Sequence, residues 1–214
     1  LCDEFGAILI FDEVMTGFGR TGLRFGSDHY GIKPDLLVAG KGLAGGYAPI
    51  AGVFGTDAVA EAIAAGGFNV MFHTFGAMPQ ACAAATSVLQ ILRRDDLIER
   101  AKTRGYQLKA ALIERLSQHP RVAEIRGTGL LIAVEVVADR ETLTPFDQSL
   151  RVTDQIIGHG MSQGVFFYPG GTGEIRDIIC MGPAFIIDDD DIQLTVDALS
   201  YALDALIDLE NPVT

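Results

Sequence analysis

A chain of 214 residues, 49% hydrophobic and 21% charged, is long enough to bury a sizeable core in one or two domains and is not disordered in composition. Its net charge of −12, without any lysine- or arginine-rich stripe, argues against a nucleic-acid binder. No apolar run reaches the roughly 20 residues of a membrane-spanning helix, and three scattered cysteines (Cys2, Cys82, Cys180) without metal spacing read as reduced thiols of a cytoplasmic protein.

Residues 7–11 (AILIF) are apolar, too short for a helix and rich in branched side chains, which predicts a buried strand. The run ends on Asp12-Glu13 and opens into a loop punctuated by Gly17, Gly19 and Gly22. Pro34-Asp35 introduces a second apolar run, Leu36–Ala39, which delivers Lys41 between Gly40 and Gly42. Both strands are expected to be buried on both faces. Residues 50–54 read as a third strand. Thr56 or Asp57 caps a helix through Ala65 that Gly66-Gly67 stops. Residues 70–75 are β-like, and Pro79 sits in the first turn of a long helix. After Asp95-Asp96 an amphipathic helix carries Leu97, Ala101, Leu108, Leu112 and Leu116 on one face, until His119-Pro120 ends it.

The order of elements then changes. Strands are predicted at 122–125 and 130–137 around a turn at 126–129, then a helix over 148–163 and strands at 165–168 and 178–181. The last helix opens on the acidic cluster 188–191, whose aspartates suit a helix N-terminus, and its stripe is Ile192, Val196, Leu199, Leu203 and Ile207. This order predicts a larger α/β domain over residues 1–101 and a small α+β domain over 102–214.

In an open α/β sheet, ligands sit beyond the carboxyl ends of the strands. The first two strands would hand a carboxylate, Asp12, and a lone amine, Lys41, to one such crevice. Flanking glycines leave that amine open to a planar ligand, and a lysine that loses its proton on desolvation suits Schiff-base chemistry. Pyridoxal phosphate needs such a lysine, and a carboxylate to keep its ring nitrogen protonated. The bare spacing equally fits a solvated loop lysine and an aspartate capping a strand end. Lys33, Lys102 and Lys109 lack the glycine setting. No metal partner is spaced around His73, which is expected in a core or an interface.

The paired motifs AILIFDEVMTGFGRTG and PDLLVAGKGLAGGY, 29 positions apart from Asp12 to Lys41, resemble the signature of the class III pyridoxal-phosphate-dependent aminotransferases. The resemblance extends over essentially the whole chain. It implies an α/β, aspartate-aminotransferase-like fold (fold type I), here part of the large cofactor-binding domain plus a smaller α+β C-terminal domain. It also implies pyridoxal 5′-phosphate as cofactor, no metal, and a homodimer with active sites at its interface. The reaction implied moves an amino group from an amine or ω-amino acid to a keto acid such as pyruvate.

Residue by residue, the resemblance makes Lys41 the Schiff-base lysine and proton shuttle, and Asp12 the partner of the pyridinium nitrogen. Val14 would lie against the cofactor ring, though a valine there is equally good core. Thr74, in FHTFGAMPQACAAA, matches a threonine that donates to the cofactor phosphate across the dimer interface; a strand threonine bonded to backbone is the plainer alternative. Arg176 lies where an arginine grips the substrate carboxylate, a task suited to its bidentate fork. Glu13 is left to orient substrate or to pair with Arg20, and Arg126 to tie the small domain together.

Met15 stands where the ornithine and 4-aminobutyrate branches carry a glutamine that reaches the cofactor's phenolic oxygen. A thioether is a poor acceptor and no donor, which tilts the likeness towards the ω-amino acid:pyruvate branch. The run LIFDEVMTGF also resembles glutamate-1-semialdehyde 2,1-aminomutase, an alternative within the same cofactor class. A non-catalytic relative would have no physical need for the Asp12–Lys41 pair, and GFGRTG lacks the residues of a P-loop or dinucleotide turn. Family members reach their Asp-Glu-Val strand only after a long N-terminal portion. The 214 residues are therefore expected to be the C-terminal part of a longer protein, inactive alone.

Overall fold

The computed structural model describes residues 1–67, 73–172 and 175–210, leaving out the side chains of 172, 175 and 176. The chain divides into two compact units, Leu1–Glu99 and Arg100–Thr214.

The first unit opens with a single helical turn, α1 (Cys2–Phe5), closed by Gly6 at φ +62°. Strands β1 (Ile10–Asp12) and β2 (Leu36–Ala39) pair in parallel, with Asp12 opposite Val38, and β3 (Gly52–Gly55) runs antiparallel on the other side of β2. β1 begins later than the apolar run predicts. The Asp35 carboxylate accepts from the Leu9 amide at 2.8 Å, so a side chain stands in for a ladder partner there. β3 likewise starts two residues late. Helices α2 (Asp57–Ala65) and α3 (Pro79–Arg94) fall where caps and prolines place them. α4 (Leu97–Leu116) begins in this unit and continues into the second. Of the β-like run 70–75, residues 70–72 lie outside the description.

Strands expected to be buried on both faces in a longer protein leave apolar side chains exposed in these 214 residues. Ile10 of β1 is 56% exposed and Phe54 of β3 51%, and the unit's buried cluster is formed by Leu43, Ala44 and Ala85 with Phe18 and Ile50 packed against it.

The second unit holds an antiparallel sheet in the order β4-β5-β7-β6, made of β4 (Val122–Thr128), β5 (Leu131–Val136), β6 (Tyr168–Thr172) and β7 (Ile175–Met181). Alternate residues of β5, namely Ile132, Val134 and Val136, are buried as the period of two requires. They join Leu108, Leu112 and Leu116 of α4, Ile156 of α5 (Val152–Ser162), and Val196, Leu199 and Leu203 of α6 (Asp189–Asp204) in one core. Each fully buried aliphatic side chain there contributes about 1.5–3 kcal/mol, so this core is the chain's main reserve of hydrophobic stability.

Four predicted boundaries move. The expected turn at 126–129 is strand through Thr128, pairing with Leu131. The helix expected from residue 148 starts at Val152, because Arg151 is left-handed (φ +47°) and breaks it from a preceding turn capped by Asp147. The strand expected at 165–168 begins only at Tyr168, leaving Phe167 wholly buried. Ile207 lies past the end of α6 and is 44% exposed, while Leu206 takes the core position. Arg126 does tie this unit together, through Glu135 and Glu124 across and along the sheet. Cys2, Cys82 and Cys180 are free thiols. Among the described residues no helix is long and apolar enough to cross a membrane, and no cluster offers a metal site.

Candidate active site

Parallel strands point their carboxyl ends the same way, so β1 and β2 deliver their last residues to one sheet edge. Asp12 is the last residue of β1, and Lys41 lies three positions beyond its register partner Val38. At about 3.3 Å per residue along a strand and about 4.8 Å between strands, their backbones stand within roughly 11 Å. Both side chains are exposed.

Asp12 Oδ1 accepts from the Val14 amide at 3.0 Å. The turn-capping role is thus real, and it also aims the carboxylate, which stays exposed. Val14 is half-buried beside it. The chain then bends through Met15, whose sulfur takes the Lys41 amine. Among the described residues Lys41 makes no ion pair. Its backbone is left-handed at φ +34°, at the head of the tight turn Lys41–Leu43, a conformation rarely adopted by a residue with a side chain. Gly42 follows in close contact with the preceding loop: a Cβ on it would stand 3.2 Å from Phe18 Cβ.

Glu13 turns into the loop that follows β1. It is 2% exposed, and its carboxylate accepts from the Gly26 and Ser27 amides at 2.7 Å each and from the Thr16 hydroxyl. Burial alone would raise its pKa, but these hydrogen bonds outweigh it and hold the carboxyl below its ordinary range. Thr16 three residues on and the Gly26-Ser27 pair are the signals of this closure in the sequence, and they are weak ones.

Thr74 is exposed in a cleft of about 530 Å³ lined by Pro49, Ile50, His73, Phe75 and Met78, which includes neither Asp12 nor Lys41. His73 is exposed rather than core, its carbonyl accepting from Gly76 in a turn. Arg176 belongs to β7 of the second unit, and its side chain lies outside the description. Asp12, Val14, Met15 and Lys41 gather at the carboxyl ends of β1 and β2, while Thr74 lies in a cleft whose Ile50 and Ala51 stand against Gly40, next to Lys41.

An exposed amine without an ion pair and an aimed carboxylate on one sheet edge fit the two demands of a pyridoxal ring: a nucleophile for its aldehyde and an acceptor for its ring N–H. The family described as "Aminotransferase class-III" matches residues 1–203. An aminotransferase of Gibberella zeae is 38% identical over 208 residues, covering 95% of this chain and 41% of that protein. The 4-aminobutyrate aminotransferase GabT of Escherichia coli is 33% identical over 204 residues, covering 95% and 46%. A solved (S)-enantioselective omega-transaminase from Thermomicrobium roseum superposes with a TM-score of 0.88 at 33% identity, covering 97% of this chain and 45% of that one. The chain thus spans about half the length of the relatives it matches.

Proposed function

The chain belongs to the class III aminotransferases and has their fold type I architecture, and on that footing we propose that it is the Lys41- and Asp12-bearing part of a transaminase that uses pyridoxal 5′-phosphate. When bound, that cofactor supplies an aldehyde that captures amines and a pyridinium ring that draws electrons from the carbon beside it. Lys41 would hold it covalently through Nζ and, once displaced by substrate, serve as the base that moves a proton at the substrate's amine-bearing carbon. Asp12 would accept the ring N–H and keep it charged, with its carboxylate aimed by the Val14 amide. Val14 would form an apolar wall of the ring site. Thr74 would donate to the phosphate of a second subunit's cofactor in a homodimer. Arg176 would grip the substrate carboxylate.

The donor is proposed to be an amine or ω-amino acid and the acceptor a keto acid such as pyruvate. Met15 supports that choice, since its thioether cannot make the hydrogen bond of a glutamine. The observation that carries the whole reading is the parallel register of β1 and β2, which sets Asp12 and Lys41 on one edge.

The test uses the complete protein with cofactor, an ω-amino acid and pyruvate. Alanine should form, and borohydride should fix the cofactor to Lys41. An amino group that never leaves its own substrate would overturn transfer and favour the aminomutase chemistry.

A further inference from the structure

Glu13 sits at the mouth of a loop that leaves β1 and returns at Gly26. Its two carboxylate oxygens diverge onto two amides: Oε2 accepts from Gly26 and Oε1 from Ser27, both at 2.7 Å, while Thr16 Oγ1 also donates to Oε2. One buried side chain thus joins positions 13 and 14 residues apart. Inside the loop the chain folds back on itself, the Gly17 amide donating to the Glu13 carbonyl at 2.9 Å and the Gly19 amide to the Arg24 carbonyl at 3.2 Å.

The crest of that loop is Gly17-Phe18, and it lies on the turn after Lys41. A Cβ on Gly42 would meet Phe18 Cβ at 3.2 Å and the Gly17 carbonyl at 3.4 Å. Phe18, itself left-handed at φ +59°, packs against the buried cluster of Leu43, Ala44 and Ala85 and meets the Phe25 ring edge-on at 5.5 Å. The turn that carries the reactive amine therefore rests on a loop that Glu13 closes.

We propose that Glu13 is a positioning residue for Lys41: by latching residues 14–27 it seats the Gly17-Phe18 crest on the Gly42–Ala44 turn and so keeps Lys41 in its left-handed conformation. The inference rests on the reading of Lys41 as the reactive lysine. A carboxylate is required because two amides must be met by two acceptors. Glutamine offers one oxygen and turns an NH2 onto the other N–H, and aspartate is one methylene short.

The experiment is hydrogen exchange on the complete, cofactor-free protein, comparing wild type with Glu13→Gln. The reporters are the Gly26 and Ser27 amides, which bond the carboxylate, and those of Leu43 and Gly45, which bond the Gly40 and Gly42 carbonyls at 2.8 and 3.3 Å. Both sets should lose protection together, by tenfold or more. Opening at 26–27 with unchanged protection at 43–45 would reduce Glu13 to a local loop tie and overturn the proposal, as would no change at either. Should Glu13→Gln fail to fold, Gly26→Ala enters the latch from its far end, its Cβ 3.0 Å from Thr16 Cβ and 3.1 Å from Glu13 Oε2. The same coupled loss is expected there, and full protection at 43–45 with 26–27 opened would again refute it.

Borohydride trapping separates this from the functional reading. If wild type carries the cofactor on a residue other than Lys41, that reading falls whatever the exchange shows. If it is carried on Lys41 and Glu13→Gln traps it within twofold of the wild-type rate, positioning is overturned. A tenfold slower trapping supports it.

Discussion

The amine of Lys41 rests against the sulfur of Met15. A thioether is a weak acceptor, so it occupies the space beside the amine without anchoring it as a carboxylate would. What holds Lys41 in place is its backbone, left-handed at φ +34° in a turn packed against Phe18.

That backbone makes the two ways of deleting the amine unequal. Lys41→Ala and Lys41→Gly should both abolish borohydride trapping of the cofactor. Glycine adopts positive φ without the Cβ penalty of about 1–2 kcal/mol. The glycine variant should therefore unfold about 1 kcal/mol later than the alanine variant, roughly 2–4 °C in Tm at this chain's size. Equal stability in a thermal scan would show that the turn stores no strain.

Asp12→Asn keeps the oxygen that accepts from Val14 at 3.0 Å and removes the charge. A lost charge-assisted hydrogen bond is worth about 1.5–3 kcal/mol, so cofactor affinity in the complete protein should fall roughly tenfold to a hundredfold. Turnover of cofactor-saturated enzyme should fall by more, because the ring nitrogen no longer stays charged. Near-normal kcat at saturating cofactor would remove Asp12 from the chemistry.

That Asp12 and Lys41 stand at the carboxyl ends of parallel strands is legible in the sequence because each comes after a short apolar run, a local pattern. Reading them as a pair rests on the resemblance of the two motifs. The part played by Glu13 is not legible, since its main partners are backbone amides 13 and 14 positions away, which any residue type supplies. The late start of β1 depends on the Asp35 side chain displacing a ladder bond, again a long-range choice. Arg126-Gly127-Thr128-Gly129 has turn composition, yet Gly127 at φ +139° is strand backbone pressed so closely on Leu131 that a Cβ would stand 2.2 Å from its carbonyl. Glycine there serves close approach rather than chain reversal. The shift from Ile207 to Leu206 follows from α6 ending at Asp204, after which helical spacing no longer applies.

Arg176→Ala tests the proposed carboxylate grip by a kinetic split. KM for substrates bearing a carboxylate should rise at least tenfold, while KM for simple amines should change less than twofold. Equal changes for both classes would take Arg176 out of the substrate site.

Asp177 is buried on β7, and burial pushes its carboxyl above the ordinary range; the Phe146 amide, donating at 2.9 Å, opposes the shift and the charge of Glu135 adds to it. A raised folded-state value means the folded chain binds this proton more tightly than the unfolded one. The resulting stability is present in full below the unfolded value of 3.8 and is lost as the pH rises through the folded value. Asp177→Asn keeps an acceptor for Phe146 and carries no charge. It should be more stable than wild type at pH 7, by on the order of 1 kcal/mol, and no different at pH 3. Urea melts at the two pH values decide it, and a variant less stable at pH 7 would contradict the sign.

Gly105 sets two effects of opposite sign against each other. It lies in the interior of α4, where alanine is intrinsically better by about 1 kcal/mol. A Cβ at Gly105, however, would lie 2.0 Å from the Gly129 carbonyl oxygen and 2.1 Å from its carbon, in the tight link between β4 and β5. Both contacts are backbone, so no side chain can swing aside. Either the helix lifts off the core holding Leu108 and Leu112, or the link between the strands distorts. Overpacking of a well-filled interior costs about 1–3 kcal/mol, and more where backbone must move, which exceeds the propensity gain. Gly105→Ala should therefore destabilise the chain by roughly 2 kcal/mol or more, read as a lower denaturant midpoint at unchanged m-value. Gly158, on α5, is the control, because a methyl group added there would meet nothing within 4 Å. There the same substitution should be neutral or stabilising, and a Gly105→Ala variant as stable as Gly158→Ala would refute the close approach of α4 to the β4–β5 link.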